Sequence, residues 1–94
     1  MIVENPESYR FVRFEKSYNR TKKYDAILRH KQTGREKRIS FGAMGYEHFH
    51  DKALGIYKSL NHNDPKRRAL YRQRHQGEDK RKFSSGYFAW KYLW

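Results

Sequence analysis

The side chains best able to do chemistry in this chain are its five histidines. His48-Phe49-His50-Asp51 sets two imidazoles two residues apart, and His62, Asp64 and His75 follow downstream. On a strand His48 and His50 would share a face and begin a metal site. The stretch reads as helix, where residues two apart diverge, and no histidine pair has the four-residue spacing of helical ligands. There is no cysteine to complete a ligand set. A histidine–metal nuclease around His62, Asp64 and His75 lacks a base on a strand. Gly55-Ile56-Tyr57 opens another nuclease motif whose second half does not follow. No nucleotide loop, Ser–His–Asp spacing or paired-carboxylate site stands out. The expectation is a protein that is not an enzyme, with no catalytic residue, no metal and no cofactor.

Binding chemistry is far better supplied. The 94 residues hold 22 Lys and Arg against 10 Asp and Glu, a formal net charge of +12. Such self-repulsion disfavours a compact monomer and favours acidic partners, nucleic acid first and acidic protein surfaces second. The excess is local. Residues 20–40 carry eight basic residues against Asp25 and Glu36, and residues 64–82 carry eight against Asp64, Glu78 and Asp79. The two segments therefore account for eleven of the twelve excess charges, which points to one or two basic surfaces. Expected polyanion contacts are Arg29, Lys31, Arg35, Lys37, Arg38, Lys66, Arg67, Arg68, Arg72 and Arg74, with Tyr18, Tyr24 and Tyr71 between them for stacking. Nothing marks base-specific reading.

The elements that must position these groups are few. A chain of this length makes one small domain, with 36% hydrophobic residues but 17% aromatic ones to close a core. No apolar run reaches the length of a membrane span, and the N-terminus lacks a signal peptide's apolar core, so no membrane partner is expected. Residues 1–8 read as an N-terminal arm. Tyr9–Lys16 reads as a strand with Val12 and Phe14 on one side and Tyr9, Phe11 and Arg13 on the other. Lys23–His30 and Arg35–Phe41 alternate as a hairpin, closed by Gly34 and basic at its tip. Tyr46, Phe49 and Ala53 recur at helical spacing, so residues 45–54 are expected as a helix covering the sheet. Asp64-Pro65 signals the cap and first residue of a basic helix over 65–76. Its free N–H groups, beside Lys66, Arg67 and Arg68, can receive a phosphate, or Asp64 can pair with Arg68.

The ending Phe83–Trp94 holds six aromatic residues among twelve. As a strand it aligns Phe88, Trp90, Tyr92 and Trp94; as a helix it groups Tyr87, Trp90, Lys91 and Trp94. Residues 83–94 are therefore expected to dock on the core or on a neighbouring protein, with Phe88, Trp90, Tyr92 and Trp94 as protein contacts. The fold class is α+β: a small three-stranded antiparallel sheet, one covering helix, a basic helix and the aromatic segment, with residues 9–82 as the domain proper.

From Lys23 onward the chain resembles a family of small, uncharacterised basic proteins encoded by large DNA viruses and phages. The residues that carry the resemblance are Lys23-Tyr24-Asp25-Ala26, Thr33-Gly34-Arg35, Phe41-Gly42, Asp51-Lys52, His62-Asn63-Asp64 with Lys66-Arg67-Arg68, Tyr71-Arg72-Gln73-Arg74-His75 and Gly86-Tyr87-Phe88-Ala89-Trp90-Lys91-Tyr92-Leu93-Trp94. Ser85 departs from the pattern, which has proline there. The resemblance implies a viral protein: in the virion, and in the cytoplasm of the infected host cell before assembly. The leading expectation is a non-enzymatic virion-associated structural protein, a minor capsid, cement or internal component. Its partners would be major capsid or other virion proteins within a multi-chain assembly, and nucleic acid or an acidic protein surface. The alternative is a free, sequence-tolerant DNA-binding accessory protein, and the third is a metal-dependent nuclease.

Overall fold

Alternating side chains in three successive segments build an antiparallel sheet. The computed structural model describes residues 5–94. Strands β1 (Tyr9–Lys16), β2 (Lys22–His30) and β3 (Glu36–Ala43) lie in the order β1-β2-β3. Pro6–Ser8 form a 3-10 turn before β1, and Ser8 O accepts from Lys31 N at 2.8 Å, which ties residues 5–8 to the β2–β3 turn. Of the expected N-terminal arm, residues 1–4 lie outside the described residues.

The β2–β3 hairpin keeps one register throughout, Arg29 opposite Glu36 and Lys22 opposite Ala43. Its turn closes through His30 N to Arg35 O at 2.8 Å, with Gly34 at φ +74°. Tyr24, Ala26, Leu28, Ile39 and Phe41 point to one face and are fully buried. In β1 a bulge between Phe11 and Arg13 shifts the pairing, so Phe11 stands opposite Leu28 and Phe14 opposite Ala26. One extra residue moves every later side chain to the other face. Phe11 and Phe14 thus share the core face, which simple alternation does not predict; their rings lie 4.7 Å apart.

The sheet is covered by α2 (Ser85–Tyr92), not by residues 45–54. Ser84 caps α2 by accepting from Tyr87 N at 3.1 Å, and Ser85 Oγ donates to Ser40 O at 2.6 Å on β3. Phe88 and Leu93 are buried against Phe41 and Phe83. Gly42 permits this approach: its φ is +80°, and a Cβ there would stand 2.8 Å from Leu93 Cδ1.

The covering helix expected over 45–54 does not form. Residues 44–61 are irregular, with a 3-10 turn at Lys58–Leu60 and a parallel bridge between His48 and Asn61. The cause is competition for backbone donors. The Asp51 carboxylate takes Ala53 N (2.9 Å) and Tyr57 N (3.1 Å), and Asn61 Oδ1 takes Asp51 N (2.8 Å), donors that a helix would use internally. Helix α1 (Pro65–Arg74) starts where Asp64-Pro65 indicates and buries no residue.

Candidate polyanion-binding surfaces

The ten expected polyanion contacts separate once their partners are known. On the outer face of the sheet, Arg13, Glu15, Asp25, Arg29, Glu36 and Arg38 sit across three strands. Arg29 pairs with Glu36 at 2.9 Å, and Arg38 with Glu15 at 2.8 Å and Asp25 at 3.3 Å. Arg13 reaches both Glu15 (2.6 Å) and Glu36 (3.4 Å). The pairs leave their mark on the acids. Arg38 and then Arg13 hold Glu15 below the usual carboxylate range, and Arg29 and then Arg13 do the same for Glu36. Burial would raise Asp25, but hydrogen bonds from Ser17, Ser40 and Arg38 outweigh it and lower the pKa. Ile27 is fully buried on this face between the facing residues Arg13 and Arg38, where long arginine stems cover apolar surface while their heads stay in water. Arg29 and Arg38 are therefore engaged inside the sheet face and do not stand free for an outside anion.

Helix α1 is similarly divided. Its N-terminal N–H groups are already occupied: Asp64 Oδ1 accepts from Lys66 N at 2.9 Å and Arg67 N at 3.4 Å. The carboxylate fills the place proposed for a phosphate, and it does not pair with the Arg68 side chain. Arg67 pairs with Glu47 at 3.0 Å, while Arg68 lies over the Phe49 ring at 4.5 Å. Arg72 lies over Trp90 at 5.2 Å and donates to Trp94 O at 3.1 Å. Of the ten, Lys31, Arg35, Lys66 and Arg74 are exposed and have neither a carboxylate nor a ring partner among the described residues. Lys37 is half-buried and lies 5.9 Å from the Tyr9 ring centre. Lys31 and Arg35 stand at the hairpin tip; α1 lies near Lys22 and Ala43, at the other end of the same strands. Nine strand residues separate the two ends by about 26 Å at roughly 3.3 Å per step.

The aromatic residues expected as contacts are equally committed. Phe88 is 1% exposed and belongs to the core, so it cannot meet a partner in this fold. Tyr92 packs on Phe14 at 4.7 Å, and Trp94 stacks on Tyr71 at 4.2 Å with the rings 2° from parallel. Trp90 carries Arg72. The segment 83–94 thus folds back on its own chain because α2 supplies the apolar cover that the sheet needs. Tyr24 is buried, Tyr71 is sandwiched between Trp94 and His75, and Tyr18 already carries Arg38. Burial, and then the charge of Glu78, raises the Tyr71 pKa to about 12.

His62, Asp64 and His75 do not converge. His62 Nδ1 accepts from Asp64 N at 2.9 Å, Asp64 caps α1, and His75 lies beyond its other end, 3.1 Å from Glu78. Among the described residues no group of three metal-ligating side chains is gathered.

One arrangement escaped the sequence reading. Lys23 is 2% exposed; its Nζ donates to Tyr46 O at 2.6 Å and to His48 Nδ1 at 2.9 Å. His48 Nε2 then donates to Asn61 Oδ1 at 2.7 Å, the tautomer that the lysine dictates. Asp51 accepts from the Tyr24 hydroxyl, which itself accepts from Ile56 N. Burial lowers the Lys23 pKa; burial and then Lys23 lower that of His48. This chain of bonds fixes residues 44–61 against β2. Lys23 and Tyr46 also line an open cleft of about 620 Å³, together with Lys22, Arg67, Arg74 and Trp94 among others. Lys22 and Tyr46 carry no signal of this role in the sequence, because most of their cleft neighbours are distant along the chain.

No family model, no curated protein and no solved structure matches the chain. Among the described residues no helix is long and apolar enough to cross a membrane.

Proposed function

We propose that the protein is a non-enzymatic, sequence-tolerant nucleic-acid-binding protein that works through phosphate contacts. The observation that carries this reading is the division of its cations. The acids of the sheet face are matched to Arg13, Arg29 and Arg38, whereas Lys31, Arg35, Lys66 and Arg74 stand exposed without a carboxylate among the described residues. Charges left unmatched at two ends of a folded domain favour a polyanion over a single compact acidic group. Phosphate contacts carry no sequence information, so affinity is expected to be tolerant of sequence.

Residence in a virus particle, which the resemblance to viral basic proteins implies, is proposed through the same basic ends. Insertion of the aromatic segment into a neighbour would need residues that α2 uses inside its own chain. Quantitative mass spectrometry of purified particles of the source separates a particle component, present in fixed ratio to the major capsid protein, from a free binder absent from particles.

Fluorescence anisotropy with labelled nucleic acid, titrated between about 50 and 200 mM salt, tests the binding itself. Affinity should fall steeply with salt. Lys31→Glu with Arg35→Glu should lower the slope of log K against log salt by about 2, since each lost phosphate contact removes roughly one unit. Binding that ignores salt would refute the proposal.

A further inference from the structure

The two basic ends differ. At the hairpin tip the exposed cations Lys31 and Arg35 have no ring beside them among the described residues. The cleft at the other end combines cations with an uncovered aromatic ring. Tyr46 is 71% exposed, and no other ring among the described residues packs on it. Tyr71, in contrast, has both faces covered, by His75 at 4.1 Å and Trp94 at 4.2 Å.

The cations of the cleft are also unequal. Arg67 is held by Glu47, and Lys23 is pinned beneath the Tyr46 carbonyl. Lys22 and Arg74 have no carboxylate partner among the described residues. Glu78 stands on the α2 side of the cleft, over Gly86, where a Cβ would come 2.7 Å from its Cδ. Its carboxylate disfavours a phosphate there and directs one to the Lys22 and Arg74 side. The volume of about 620 Å³ falls within the range of roughly 300–1,000 Å³ that small-molecule sites occupy.

We propose that this cleft receives one unpaired nucleotide, its base lying on Tyr46 and its phosphate between Lys22 and Arg74. The inference rests on the nucleic-acid-binding reading and adds strandedness to it. A duplex keeps its base faces inside the stack, so only a single strand or a free nucleotide can offer a face to Tyr46. Lys23 serves as a positioning residue: its bonds to Tyr46 O and His48 hold the segment that carries the ring.

The test compares a labelled oligothymidine with a duplex of equal length, by anisotropy, for wild type, Tyr46→Ala and Tyr46→Phe. Tyr46→Ala should weaken the single strand about tenfold, in line with the roughly 1–3 kcal/mol per stacked base, and leave the duplex within about twofold. Tyr46→Phe should retain the single-strand affinity because it keeps the ring. Thymidine monophosphate as competitor identifies the source: displacement means a free nucleotide suffices, and its absence means a strand is required. If wild type binds both nucleic acids with steep salt dependence and Tyr46→Ala changes neither, the cleft proposal falls while the general reading stands. If wild type binds neither, both fall.

Discussion

Helices α1 and α2 are of similar length, and each begins with an oxygen cap, yet they do opposite things. Helix α2 buries Phe88, abuts Leu93, and closes the sheet. Helix α1 buries nothing and is held by a stack of Tyr71 on Trp94 and by Arg72 on Trp90 and Trp94. A small sheet has apolar surface for one helix. The helix that carries five cations in ten residues is left outside, where Lys66 and Arg74 are exposed and open to a partner. What keeps α1 marginal in the free protein is what makes it usable in a complex.

The largest expected effect breaks the α2 side of this contrast. Phe88→Ala should cost about 3–5 kcal/mol in urea unfolding, a large share of the roughly 5–15 kcal/mol available to a domain. A loss below about 1 kcal/mol would mean that α2 does not close the core. Next comes the irregular segment 44–61 that joins β3 to α1. Asp51→Ala removes the acceptor of the Tyr24 hydroxyl and of two backbone N–H groups. It should cost on the order of 2–3 kcal/mol, with Asp51→Asn recovering part of it.

Tyr71→Ala sharpens the comparison. It should lower stability by only about 1 kcal/mol, the scale of an aromatic pair. Hydrogen exchange should show α1 amides losing protection while α2 amides keep theirs. Equal loss in both helices would merge them into one cooperative unit.

The smallest expected effect is a pH dependence. The folded pKa of His48 lies below its ordinary value of 6.5, from burial first and Lys23 second. The unfolded chain therefore takes up a proton before the folded chain does. Stability is fully present above about pH 6.5 and declines as pH falls below it, by at most about 1.4 kcal/mol per pH unit for one proton. The depressed pKa values of Asp25, Glu15 and Glu36 act in the same direction at lower pH. Urea midpoints measured from pH 7.5 downward should fall, and His48→Gln should flatten the first part of the decline.

Some of this was legible because it depends on neighbours in the chain. Asp64-Pro65 marks the start of α1 because a cap and a fixed φ act within one turn. The β2–β3 hairpin is visible because Tyr24, Ala26 and Leu28 alternate and Gly34 supplies the turn. Residues 45–54 show helical spacing too, yet Asp51 and Asn61 take the backbone donors that a helix would need. That competition depends on contacts with Tyr24 and Lys23, about twenty-five residues away, and no local pattern reports it.

Composition and local order thus determined the α+β class, the β2–β3 hairpin, the basic helix, and the two segments that hold the excess charge. Which cations remain available was decided only in three dimensions. The β1 bulge brings Phe11 and Phe14 to one face and aligns Arg13 and Glu15 across from Ile27 and Asp25. The register of β2 and β3 sets Arg29 opposite Glu36, and folding of the aromatic segment in cis turns Trp90 and Trp94 toward α1. A charge is counted along the chain, but it is neutralised through space, within a few ångströms of an opposite charge that the fold alone brings there.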